Sequence, residues 1–402
     1  MITRLHISNF KSLVDFNLPE EGHELGKFVC LVGMNGSGKS TVLQALDFLA
    51  QLMTGNVSEW LERREWEAID LTSRIICPGL IHSKSSKLIS FDLCLELNGQ
   101  KLRWGGVFDR KLKCCTVEFV WLNEEPLMRH RLDLGELFYL EAGSDKEIKE
   151  RTNTLNYEGS ILSAHTKLPI PAIRELRSFM LGLNSLELLS PSAMRRRSRR
   201  GEDIGHGGEQ LSAFVDALSA SSKASLLGDL RQFYPFLTRL DVSTARGGWK
   251  KLGGWEQQGS TTFNISASHM NDGMLRVIAI LAQAYSRHPV MLFDEIENGI
   301  NPELVEKLVD FLVSLKNKQV FVTTHSPMIL NYLEDKVARE SVHLLYRDKT
   351  GGTRSTRFFD LPEVGAKLEA LGPGEVFADT NLTKLTQKLM KRKTTAPNRK
   401  AA

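Results

Sequence analysis

The chain has 402 residues, 42% hydrophobic and 25% charged, and its 52 basic and 48 acidic side chains leave a net charge of +4. This length supports several lobes around a sizeable core, and the composition excludes a disordered or fibrous protein. The near balance of charge excludes a globally basic coat, so any basic surface has to be local.

Five cysteines, Cys30, Cys77, Cys94, Cys114 and Cys115, show no CxxC spacing. That points away from a zinc site or a disulfide framework and toward the reduced thiols of a cytoplasmic protein. No window reaches the length of an uncharged apolar span, and the N-terminus lacks a signal-peptide core, so no membrane partner is expected.

In chain order, two strands are predicted near Thr3–Phe10 and Phe28–Val32, then a glycine-rich turn and a helix from about Lys39 to Leu52. Val42, Leu43, Leu46 and Leu49 give that helix an apolar face. The turn, Gly33-Met34-Asn35-Gly36-Ser37-Gly38-Lys39-Ser40, satisfies GxxxxGK[ST] between a strand and a helix, the context that identifies a phosphate loop. Its glycines let backbone amides curl around phosphate oxygens, and the helix start adds partial positive charge. Gly33, Asn35, Gly36, Ser37, Gly38, Lys39, Ser40 and Thr41 are therefore read as nucleotide-binding. Lys39 would reach the β- and γ-phosphates, and the Ser40 hydroxyl would ligate Mg²⁺. The expected ligands are ATP and Mg²⁺.

From about Lys87 the hydrophobic period becomes two. Ile89, Phe91, Leu93, Leu95 and Leu97 lead into Asn98-Gly99, a strong hairpin signal, with Leu102 and Trp104 on the return. Further strands are expected at Thr116–Trp121 and Leu137–Leu140, so residues 61–169 read as an inserted antiparallel β lobe. Residues 170–257 read as a helical subdomain, with helices over Pro171–Leu183 and Leu211–Tyr234. It carries a flexible basic loop, Arg195–Arg200, and a Gly-rich hairpin from Gly247 to Gly259 with Trp249, Lys250, Lys251 and Trp255 at its tip. The two basic segments could form a DNA-contacting face, or could be solvated loops or protein-docking surfaces. Residues 1–60 and 258–350 make up the ATPase core, and 351–402 form a C-terminal segment ending in a basic tail: Lys388, Lys391, Arg392, Lys393, Arg399 and Lys400.

Inside the second part of the core, the apolar run Val290–Phe293 ends in Asp294-Glu295. A buried strand ending at a phosphate site delivers such acids to the cleft, Asp294 to the metal and Glu295 to the attacking water as general base. Thr323-Thr324-His325-Ser326-Pro327 follows another buried strand, and His325 could donate to a γ-phosphate. Asn271 or Asp272 can cap a helix at Gly273, giving a second helix start suited to phosphate.

With these motifs in this order the chain resembles the RecF/SMC-like branch of ABC-type ATPases, the AAA-family or OLD-like ATPases. Ile7-Ser8-Asn9-Phe10-Lys11-Ser12-Leu13 is similar to that family's opening, Asp294–Pro302 to its acidic motif and following D-loop, and Ser268–Arg276 to its signature. Asn271 stands where relatives usually have Ser, and Asn301 where many have His. The resemblance implies an α/β fold: an ABC-type P-loop ATPase head. It implies a self partner too, because two such heads sandwich two ATP molecules, with Asn271, Asp272 and Gly273 of one head serving the nucleotide of the other. Glu295, His325 and Lys39 would carry hydrolysis.

About 230 residues separate phosphate loop and signature with no sustained heptad run, so no long coiled coil is expected. The 77 residues after His325 end in basic residues, so no nuclease domain of the chain's own is expected. Three functions fit. One is the sensor ATPase of a two-component anti-phage system, controlling a separately encoded nuclease or toxin effector; the compact ATPases of the Septu and PARIS systems are similar in outline. The others are a RecF-like repair ATPase binding DNA directly, and an ATP-gated scaffold with little hydrolysis.

Overall fold

The computed structural model describes residues 1–75, 87–140, 146–152, 156–186, 189–199, 201 and 203–391. Cys77, Arg200, Arg392, Lys393, Arg399 and Lys400 lie outside the described residues.

Two sheets and the helix between them organise the molecule. A six-stranded sheet runs in the order Leu183–Leu186, Val290–Phe293, Gln319–Thr323, Phe28–Val32, Val342–Arg347, Thr353–Arg357. The first five strands are parallel and the last returns antiparallel. Its central strands are buried on both faces, so they read as continuous apolar runs. Alternation then divides their side chains between two cores. Val29, Leu31, Val290 and Leu292 face the helix Lys39–Thr54 and the second sheet. Cys30, Val32, Met291 and Phe293 face the helices Asp272–Ala284 and Pro302–Ser314.

The second sheet is antiparallel and eight-stranded, in the order Phe16–Leu18, Ile2–Ser8, Leu88–Leu97, Gln100–Asp109, Cys114–Leu122, Glu125–Arg131, Glu136–Leu140, Glu147–Arg151. The Asn98-Gly99 turn closes its longest hairpin with both residues at positive φ, 50° and 77°, the backbone of a type I′ turn. The N-terminal strand belongs to this sheet, paired along Leu88–Leu97, and its Ile2, Leu5 and Ile7 share a core with Val29 and Leu31 of the parallel sheet. Among the described residues the helix Lys39–Thr54, of 16 residues, is the longest, and no helix is long and apolar enough to cross a membrane.

Several expectations change. Leu183, expected to end the helix from Pro171, instead begins Leu183–Leu186, the edge strand of the parallel sheet beside Val290–Phe293. The single helix expected over Leu211–Tyr234 is two, Leu211–Ala217 and Ala220–Phe233; Ser219 caps the second by accepting from Ser222 N–H at 3.0 Å. The Gly-rich segment is not a free tip. Lys250–Gln258 is the middle strand of a three-stranded sheet between Leu237–Thr244 and Thr261–Ser266. The parallel sheet takes in Thr353–Arg357, which pairs antiparallel with Val342–Arg347.

Candidate functional site

Three motifs meet at one edge of the parallel sheet because their strands are adjacent and run the same way. The strand Gln319–Thr323, ahead of His325, lies between the phosphate-loop strand and the strand ending at Asp294. This carboxyl edge is where open α/β sheets bind ligands.

The loop itself is shaped by three glycines at positive φ: Gly33 at 148°, Gly36 at 74° and Gly38 at 105°. A Cβ at Gly33 would fall 2.3 Å from Leu345 O, and one at Gly38 would fall 2.4 Å from Thr353 Oγ1. A Cβ at Gly36 would meet nothing within 4 Å, so the loop is open on that side. The C-terminal hairpin props the loop from behind: Arg347 Nε donates to Gly36 O at 2.8 Å and Thr353 Oγ1 to Ser37 O at 2.9 Å. Lys39 is buried, and its Nζ donates to Gly33 O at 2.9 Å and Met34 O at 3.3 Å. Burial lowers its pKa from the ordinary lysine value, while the nearby Asp294, Glu295 and Glu297 carboxylates oppose that shift.

A polyphosphate fits these residues. The helix Lys39–Thr54 starts with no side-chain cap and no acid in its first turn. Ser37 Oγ is buried with no hydrogen-bond partner among the described residues, an orphan that an anionic oxygen would satisfy. Mg²⁺ fits less as a protein cage than as a shared ion. No group of three or more His, Cys, Asp or Glu is poised around a metal position among the described residues. Mg²⁺ usually takes one or two protein oxygens plus phosphates and water, a set that Ser40 and Asp294 could begin.

The acids are held by a residue whose role the sequence did not reveal. Thr323, fully buried, donates its hydroxyl to Asp294 Oδ1, and its Oγ1 accepts from Glu295 N–H at 2.9 Å. Glu295 sits at φ 48°, a left-handed backbone uncommon for a residue with a side chain. Its carboxylate is half exposed, with Oε1 3.4 Å from His325 Nε2. The next threonine repeats the pattern: Thr324 Oγ1 donates to Glu297 Oε1 at 2.8 Å, and His325 N–H donates to that carboxylate oxygen at 3.1 Å. The pair Thr323-Thr324 thus ties the acidic turn to the histidine. The signal was visible only as two threonines before His325.

The signature segment packs beside the acidic turn, where Arg276 lines a small cavity with Asp294 and Glu295. Asn271, not Asp272, caps the helix Asp272–Ala284, accepting from Met274 N–H at 2.7 Å. Gly273 packs on the turn after the acids, where a Cβ would come 2.9 Å from Gly299 O. No hydrogen bond or ion pair joins residues 271–276 to residues 33–41 among the described residues. Asn301 caps the helix Pro302–Ser314 by accepting from Glu303 N–H at 3.2 Å.

The two basic segments are only partly brought together. The Arg199 guanidinium lies 4.5 Å from the Trp249 ring centre, and Ser198 bridges to Lys250. Lys250 is ion-paired with Asp216 at 2.7 Å, and Trp255 Nε1 donates to Asp241 at 2.8 Å. Arg195 turns away, to the signature helix. The four described cysteines, Cys30, Cys94, Cys114 and Cys115, are free thiols.

Fold and site together define an ATPase head of the ABC/SMC-like type, resembling OLD-type proteins. Residues 28–331 match the family described as "AAA domain, putative AbiEii toxin, Type IV TA system", and the chain belongs to that family. It is similar to the OLD nuclease of Thermus scotoductus, 43% identical over 49 residues, a match spanning 12% of this chain and only 8% of that protein. Among solved structures it is similar to an SMC head bound to the C-terminal winged-helix domain of ScpA, with a TM-score of 0.52 and 16% identity over 88% of this chain and 96% of that one. The SMC head domain from Thermotoga maritima gives a TM-score of 0.46 at 13% identity over 88% and 97%.

Proposed function

We propose that this protein hydrolyses ATP between two copies of itself, and that its nucleotide state controls a separately encoded nuclease or toxin in anti-phage defence. The observation that carries the catalytic part is the convergence at one sheet edge of Lys39, the Asp294-Glu295 pair and His325, with Glu295 and His325 3.4 Å apart. The lack of any hydrogen bond or ion pair between the signature helix and its own phosphate loop among the described residues supports pairing, in which a helix start suited to phosphate serves a second copy.

In this reading the loop amides and Lys39 bind and orient the triphosphate. Bound Mg²⁺, held by Ser40 and Asp294, would supply charge neutralisation on the phosphates. Glu295 accepts the proton of the attacking water, and Thr323 fixes the backbone from which it reaches. His325 donates toward the terminal phosphate and keeps Glu295 in place. The effector role draws on the family's description, which names a toxin, and on the nuclease among the relatives.

The test is the mass of the purified protein with ATP. Glu295→Gln keeps the shape of the site but removes the base, so turnover should fall by about 10²-fold or more and ATP should drive the 45.2 kDa subunit to twice that mass. A variant that binds ATP yet stays at the single-subunit mass would overturn the pairing. A second reading, direct DNA binding, is favoured by the Arg199–Trp249 stack. In the same experiment it would appear as duplex retention that falls steeply with salt.

A further inference from the structure

The helix Asp272–Ala284 opens on a carboxylate. Asp272 is 60% exposed at the helix end that pairing would bring to the partner's terminal phosphate. Two negative groups meeting as water leaves a closing interface repel strongly unless a cation lies between them. Asn271 caps the helix through its Oδ1, and its uncharged amide cannot offset the Asp272 carboxylate.

Arg195 lies at the place where a cation is needed. It follows the short helix Pro191–Met194 and reaches the start of a helix 77 residues further along the chain. Its Nη2 donates to Asp272 Oδ1 at 2.6 Å and to Met270 O at 2.9 Å. Both bonds use the same nitrogen, and Nη1 has no partner among the described residues. The side chain remains 30% exposed. Arg199, from the same basic run, is stacked on Trp249 instead.

We infer that Arg195 contacts phosphate in trans. In a closed pair its Nη1 edge donates to the terminal phosphate in the phosphate loop of the second copy, while Asp272 and Met270 hold the other edge. A guanidinium suits this position because one planar fork serves two acceptors at once and keeps its charge at every working pH. This rests on the paired-head reading and adds a residue to its composite site. Asp272, which alone would oppose closure, becomes the anchor that aims the arginine.

The experiment is complementation between variants that are each defective on one side of the site. Lys39→Ala lacks a working cradle but keeps Arg195 and Gly273. Arg195→Ala and Arg195→Gln keep the cradle. Each variant alone should lose turnover by about 10- to 100-fold, the scale of a charge-assisted hydrogen bond. Both Arg195 variants should bind ATP as the unaltered head does. Mixed one to one with Lys39→Ala, random pairing gives one complete site in half of the dimers, so roughly a quarter of full activity should return. Gly273→Val mixed with Lys39→Ala is the control for the composite site itself. If that control recovers activity and neither Arg195 mixture does, Arg195 has no trans role and pairing stands. If the Arg195 variants lose ATP affinity, the residue acts within its own head and the inference fails. If no mixture recovers, the composite site fails as well.

Discussion

The helices Lys39–Thr54 and Asp272–Ala284 are of similar length, 16 and 13 residues, and both begin where phosphate is expected. The first starts after Gly38 at φ 105°, with no side-chain cap and no acid in its first turn. Its leading amides are left uncommitted, which makes the helix end an anion site in its own right. The second is capped by Asn271 and begins with Asp272. It is more stable as an isolated element and less inviting to an anion. A helix start therefore trades self-sufficiency against ligand binding, and a capped one needs charge brought from elsewhere to serve a phosphate.

Three substitutions would break or sharpen that contrast. Lys39→Ala removes the buried cation of the first helix start and should weaken ATP binding by about 3 kcal/mol or more, the scale of breaking a buried charge pair. Isothermal titration showing unchanged affinity would remove the phosphate-loop assignment. Gly38→Ala places a Cβ 2.4 Å from Thr353 Oγ1 at a φ that side chains rarely adopt. It should lower unfolding free energy by about 1–3 kcal/mol, read from the urea midpoint. A neutral result would mean that the loop backbone is not constrained as described. Asn271→Ala removes the cap of the second helix and should cost about 1 kcal/mol of stability. ATP affinity of the single head should not move, and a drop in affinity would place the signature helix at its own nucleotide.

What could be read from the sequence was what is local. Gly33–Ser40, Asp294-Glu295 and His325 are each short runs next to an apolar strand, so pattern and neighbourhood coincide. Asn98-Gly99 carried its turn geometry in two residues. The edge strand Leu183–Leu186 could not be seen, since four residues without a clear period are pinned only by their parallel pairing with Val290–Phe293, over 100 residues away. The supports of the site were hidden for the same reason. Thr323 matters through two bonds that form only when strands align. Arg195 reads as part of a charge run until folding brings it against Asp272. The Lys250 and Trp255 side chains looked free because Asp216 and Asp241, their partners, lie on other elements.

The hairpin behind the phosphate loop has a consequence for synthesis of the chain. Arg347 and Thr353 brace Gly36 and Ser37 across sequence separations of 311 and 316 residues. On the ribosome, the nucleotide motif emerges among the first segments and waits for most of the polypeptide before its backing arrives. A nascent or truncated product ending before residue 347 would display the whole motif in its sequence and still lack the brace that fixes its shape.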